Sequence, residues 1–316
     1  MEVRKKPTKI NRVFWGVLLF VVAQVLTLAL VSRIDPFLTE NNIYVPGQPP
    51  EAVTLWPGQI TLPSGEIVQT PAYSSLGPIL LYFLAAAGVL GLVLALIPLS
   101  VLRTVLRLLF AFIFSWGTFI ILVLFVPLAF ALGGAFLMGV MWFLIPRVWL
   151  HDTALILALA SLGAVFGRFI TPWTAMILIG ALAVYDYLAV RFGFMVWVAD
   201  KLSQTSALPA LIIPQHVHEW GSSLKNPGIT SVAETKPADR NYSILGGGDI
   251  AFPGLLTASV YFSQGRAPAI IIAAAGALGL GGAYLIQSYF LKGKAMPALP
   301  PIAVCVLIGL IILRLT

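Results

Sequence analysis

Cysteine is almost missing from this chain. Cys305 is the only one, which rules out an intramolecular disulfide and any zinc site built on cysteine clusters. Histidine is nearly as scarce. His151, His216 and His218 all fall in expected loops, leaving no intramembrane histidine for a serine–histidine nucleophile. His216-Val217-His218-Glu219 lacks the His-Glu-x-x-His spacing of a zinc protease, so solvated loop histidines are expected there and no metal. Charge is scarce as well: 10% of the residues are charged, 59% are hydrophobic and the mean hydropathy is +0.96. Those values lie far outside soluble globular domains and define a polytopic membrane protein.

The shortage of acid gives two residues unusual weight. Asp186, in Ala-Leu-Ala-Val-Tyr-Asp-Tyr-Leu-Ala-Val, and Asp249, in Ile-Leu-Gly-Gly-Gly-Asp-Ile-Ala-Phe-Pro-Gly, are the only acidic residues inside the expected long apolar segments. A carboxylate in hydrocarbon must find a partner or take up a proton, so its presence implies a use. Basic residues are more numerous, and the net charge is +7. They sit at the ends of apolar segments instead of on an aromatic-bearing surface, which argues for membrane topology and against nucleic acid. Arg4, Lys5, Lys6, Lys9 and Arg12 precede an apolar stretch of about 19 residues, Val13 to Val31. That stretch is longer than a secretory h-region and has no small-x-small cleavage site after it, so a retained first helix is expected.

A spanning length of roughly 20 residues predicts helices near 13–31 and 76–99. Two more lie within 105–145, turning around Pro127 to Gly134, and others near 153–170, 172–191, 244–262, 267–290 and 300–315. The expected fold class is an all-α membrane protein with nine transmembrane helices. A bundle of helices one to five would span 1–171, and a catalytic part with helices six to nine would span 172–316. A cytoplasmic N-terminus and an outside C-terminus put fifteen of the nineteen Lys and Arg residues in the cytoplasm, leaving Arg33, Arg168, Arg266 and Arg314 outside, as the positive-inside rule requires. A Pro-rich loop is expected from Ser32 to about Tyr73 and a flexible cytoplasmic loop at about 199–243. Within that loop region, Phe192 to Ala199 is an expected interfacial helix, and Ala207 to Pro214 an apolar island able to lie over a site.

In this topology helix six descends toward the cytoplasm and helix seven ascends from it, each with its aspartate about five residues from the cytoplasmic end. At 1.5 Å per residue both carboxyls sit about 8 Å deep. Two such carboxyls side by side resist ionising together and share a proton. One then serves as a base toward water and the other as an acid toward a carbonyl. A transporter or ion channel using the pair as a proton or cation site is the competing reading. Gly246, Gly247 and Gly248 lack side chains and admit another backbone closely, whether a substrate or a packing helix. Tyr185 either hydrogen-bonds near the dyad or is an ordinary buried aromatic. Pro297, Pro300 and Pro301 suit the start of a helix.

Tyr185-Asp186, Gly246-x-Gly248-Asp249 and Pro297-Ala298-Leu299, in this order and on the sixth, seventh and ninth expected helices, resemble the presenilin and signal peptide peptidase family of intramembrane aspartyl proteases. The resemblance extends over nearly the whole chain. It implies that Asp186 and Asp249 are the catalytic pair, that Tyr185, Gly246, Gly247, Gly248, Pro297, Ala298 and Leu299 shape the substrate site, and that no metal or organic cofactor takes part. The middle glycine, Gly247, stands where many members carry a larger apolar residue. The implied partners are transmembrane protein or peptide substrates and the lipid bilayer, with accessory subunits or homo-oligomers left open; the implied location is the cell membrane. In presenilins the loop after helix six is cut autocatalytically, so here it is either a cover or a self-substrate. An extended segment of an unwound helical substrate must have its backbone satisfied by the protease, which predicts short strand-forming stretches near Gly246 and Pro297 when substrate is bound, without requiring them to be ordered in its absence.

Overall fold

A computed structural model describes residues 12–43, 54–61, 65, 67–70, 72–193, 197–198, 201–202, 204–205, 207–224, 242–290 and 296–315. The basic N-terminus before Arg12, part of the expected interfacial helix and the 225–241 stretch lie outside them. Among the described residues nine α-helices of at least seventeen residues occur: α1 (Arg12–Glu40), α2 (Leu76–Leu96), α3 (Leu99–Val123), α4 (Leu128–Leu144), α5 (Val148–Gly167), α6 (Pro172–Arg191), α7 (Gly248–Gln264), α8 (Arg266–Tyr289) and α9 (Leu299–Leu315). Six are long and apolar enough to cross a membrane, namely α1, α2, α3, α5, α6 and α8, while α4 and α9 are apolar but shorter.

Two small antiparallel hairpins accompany the helices, a departure from a purely helical expectation. Strands β1 (Gly58–Thr61) and β2 (Ile67–Thr70) pair between α1 and α2. Strands β3 (Ala210–Pro214) and β4 (Tyr242–Gly246) pair across the expected cytoplasmic loop, with Ala210 opposite Gly246 and Ile212 opposite Ile244. All five residues of β3 are buried.

Several helix ends differ from the sequence-based expectation for local reasons. Helix α1 continues past Val31 to Glu40, through Pro36, because its polar extension is anchored by an Asp35–Arg168 ion pair. Helix α3 starts at Leu99, so Arg103 and Arg107 ride on its first turns. Arg103 there donates to the Gln204 carbonyl, and Arg107 lies 4.7 Å from the centre of the Phe143 ring. Helix α5 begins at Val148 instead of near 153, which brings His151 and Asp152 inside the helix, 0% and 2% exposed. The expectation of a solvated loop His151, and of only two acidic residues in apolar segments, is therefore corrected. Helix α7 starts at Gly248 because Ile244 and Leu245 belong to a strand.

Helix α5 is the most enclosed of the candidate spans and packs against α1, α3, α7 and β3. Small residues make that packing close. A Cβ added at Gly163 would meet the Gly254 backbone at 3.1 Å, and one at Gly167 would meet Ala258 Cβ at 2.4 Å. Without a hydrophobic driving force between helices in lipid, such close approach and buried polar bonds supply the cohesion. One such bond runs from Thr257 Oγ1 on α7 to Gln24 Oε1 on α1 at 3.0 Å, both residues being buried. Gly167→Ala, forcing α5 and α7 apart, is expected to destabilise the fold by about 1–3 kcal/mol, read as a lower midpoint of thermal unfolding in detergent.

Candidate active site

The helix carrying Asp186 has clear signals at both ends. Thr171 caps α6 by accepting the Thr174 N–H at 3.2 Å, Pro172 takes the first helical position where its missing N–H costs nothing, and Arg191 ends the last turn. Asp186 lies five residues before that end and is half-buried. Its carboxylate accepts a hydrogen bond from the Leu299 backbone N–H.

That donor follows from the prolines. The first turn of any helix leaves backbone N–H groups without intrahelical partners. In α9 the first three residues are Leu299, Pro300 and Pro301, and proline has no N–H. Ile302 N–H already turns back to the Ala298 carbonyl at 3.4 Å. Leu299 therefore offers the single free N–H of this turn, and Asp186 takes it. The positive end of the α9 dipole favours a carboxylate in the same place. Leu299 is buried, and Pro297 and Ala298 are half-buried just before it, without strand structure. Of the two strand-forming stretches expected with substrate bound, the one near Gly246 is already present as β4.

Asp249 is the second residue of α7, not five residues into a helix, and accepts a hydrogen bond from the Gly246 N–H. The strand has taken over the segment that a longer helix would have used. Asp186 and Asp249 are close enough to interact electrostatically. The start of α7 is loosened by its sequence: three glycines, Gly246 to Gly248, precede Asp249, and Pro253 supplies no N–H to the Asp249 carbonyl four residues back. Gly247 is buried, donates to the Pro209 carbonyl at 2.9 Å, and leaves no room, since a Cβ there would lie 2.8 Å from that same oxygen. A glycine in place of a larger residue is explained by this approach of the 207–209 segment. Gly246 has its own constraint, a Cβ there lying 3.0 Å from Asp249 Oδ2, while at the exposed Gly248 a Cβ would meet the Phe252 ring at 3.5 Å, an ordinary contact.

The structure thus brings together Asp186, Leu299, Gly246, Gly247 and Asp249. Tyr185 is 36% exposed on α6 and lies within the electrostatic reach of Asp186. Tyr284 of α8 is a neighbour that the sequence reading missed. It interacts electrostatically with Asp249 and packs on Gly16 of α1, where a Cβ would fall 2.2 Å from its hydroxyl. A tyrosine in a helix otherwise rich in Gly, Ala and Ile was its one visible signal. His216 and His218 stack at 5.7 Å, and the Glu219 carboxylate caps the His216 N–H at 3.1 Å, a turn-closing arrangement.

The same fold occurs in two solved structures. One presenilin family intramembrane aspartate protease, crystallised in a C222 space group, superposes with a TM-score of 0.59 at 16% identity, covering 96% of this chain and 99% of that one. A second structure of such a protease, in a P2 space group, gives 0.54 at 19% identity with 95% and 96% covered. No curated protein matches the chain. Residues 70–316 match the signal-peptide peptidase, presenilin aspartyl protease family. The chain belongs to that family of intramembrane aspartic endopeptidases.

A side chain at position 247 is expected to loosen the site. Gly247→Leu should break the bond to Pro209, worth about 1 kcal/mol, and hydrogen–deuterium exchange at the start of α7 should speed up roughly fivefold.

Proposed function

We propose that this chain hydrolyses peptide bonds within transmembrane segments at a dyad formed by Asp186 and Asp249. The observation that carries this reading is the convergence of the two carboxyls from the facing ends of α6 and α7, near enough to feel each other's charge. Carboxyls so placed share a proton. The ionised partner draws a proton from water as that water attacks the peptide carbonyl, and the protonated partner donates to the developing oxyanion. Hydrolysis follows without a covalent intermediate and without a metal.

The surroundings favour this over a cation or proton pathway. Each carboxylate is met by a backbone N–H, from Leu299 or from Gly246. A cation site would line them with further oxygen ligands. Nine membrane spans, with the N-terminus cytoplasmic and the C-terminus outside, agree with the distribution of Lys and Arg. By family analogy that orientation suits single-pass substrates with an outside N-terminus, in the cell membrane. The substrate helix must open locally. Its extended segment lies along β4 and gains main-chain hydrogen bonds there, with Gly246, Gly247 and Gly248 admitting its backbone. Tyr185 and Pro297-Ala298-Leu299 form the opposite wall.

Purified protein incubated with a tagged transmembrane peptide should yield defined fragments by mass spectrometry. Asp186→Asn or Asp249→Asn should lower the rate about 10²- to 10⁴-fold or more while leaving insertion and thermal unfolding unchanged; robust cleavage by either well-folded variant rejects the dyad. Activity should follow a bell-shaped pH profile whose two apparent ionisations belong to the pair, and a chelator should leave it unaltered. Leu299→Ala should reduce cleavage more than stability. Ala298→Cys combined with Gly248→Cys, in a Cys305→Ser background, should cross-link, and a substrate-like inhibitor should slow that reaction.

A further inference from the structure

The β3–β4 sheet stands directly before Asp249, yet the side-chain pattern of β3 does not specify its register. Ala210-Leu211-Ile212-Ile213 is apolar at every position and buried at every position, so a shift by one or two residues would bury equivalent surface. Register in a strand of this kind is weakly set by hydrophobic patterning. Directional bonds must set it.

Those bonds come from α5. Pro209 faces β4 through its carbonyl, which accepts from Gly247 N–H, so alternate residues Leu211 and Ile213 face β4 and the intervening Ala210 and Ile212 face away. Both outward groups end on adjacent α5 side chains. Asp152 Oδ1 accepts from Ile212 N–H at 2.9 Å, and His151 Nε2 lies 3.2 Å from the Ala210 carbonyl. A carbonyl only accepts, so Nε2 carries the ring hydrogen. The imidazole is locked among Phe110, Phe114 and Trp142, with ring centres 6.5, 5.6 and 6.0 Å away. Prolines at 209 and 214 lack an N–H, so a slip placing residue 214 before Asp152 would leave the buried carboxyl with no donor. Asp152 already carries a burial cost, since its Oδ2 has no partner among the described residues.

We propose that Asp152 and His151 are positioning residues that hold β3 in one register on α5, and through β3 fix β4, Gly246 and Asp249, so setting where along a substrate the cut falls. The inference rests on the protease reading above. Through Ala210 opposite Gly246, a two-residue slip of β3 would move the Asp249 end of β4 relative to any strand paired with it.

The test uses the full chain, the transmembrane peptide and mass spectrometry of all fragments, together with hydrogen exchange at Ile212. Asp152→Leu removes the acceptor and keeps the volume in an apolar setting. The expected result is faster Ile212 exchange, cleavage spread over neighbouring bonds, and kcat lowered roughly 10²-fold with KM little changed. Asp152→Asn keeps an Oδ1 acceptor and should restore the original fragment pattern. An unaltered pattern and unaltered Ile212 exchange in Asp152→Leu overturn the proposal. So does an Asp152→Asn variant as inactive as Asp186→Asn, which would make Asp152 a proton carrier. If the unmodified chain cuts nothing, the protease reading fails instead, and exchange at Ile212 still decides whether Asp152 holds the strand.

Discussion

Backbone polar groups inside a membrane protein have no water to fall back on, and each must be met by another group of the chain. A regular helix meets this demand by itself. A departure from helix beside the aspartates needs a partner, and among the described residues several such partners can be named. The Leu299 N–H goes to Asp186 and the Gly246 N–H to Asp249. The Gly247 N–H goes to the Pro209 carbonyl, and the outer edge of β3 is met by His151 and Asp152. The irregular backbone around the aspartates is thus tied to three separate helices.

These partners also divide labour. Helix α5 is the fixed post, closely packed on α1, α3 and α7, and it carries the residues that hold β3. Helices α6, α7 and α9 bring ends, not middles, to the site. Helix ends are where unsatisfied N–H groups and dipoles concentrate, so a pair of carboxyls placed among them is held by backbone and needs no cationic side chain. The Asp35–Arg168 salt bridge, by contrast, ties α1 to the C-terminal cap of α5.

Much of this was legible in the sequence where the signal is local. Helix α6 was readable to the residue because a capping threonine, a proline and a terminal arginine mark its limits. The likeness of the aspartate, glycine and proline motifs to a known family pointed to the fold that the solved structures share. What was illegible is non-local. Ile244 and Leu245 read as the start of a helix because nothing near them announces a strand, and their partners Ile212 and Leu211 lie about thirty residues earlier. His151 and Asp152 read as loop residues because polarity usually marks a boundary. Here the polarity faces a strand that the chain has not yet made when α5 is written. The sequence motif around Pro297 was visible, but its physical content, that two prolines leave one N–H on offer, emerges only once the helix start at Leu299 is known.

The last of these features bears on how the molecule comes into being. Asp186 belongs to the sixth helix, yet the N–H that holds it arrives only with the ninth, which is made later. On the proposed reading, a nascent chain still leaving the ribosome carries a dyad lacking one of its anchors. Docking of α9 is then the moment at which the site becomes competent, so a copy in which α9 has not yet docked is a poor catalyst toward the helices crowded around it.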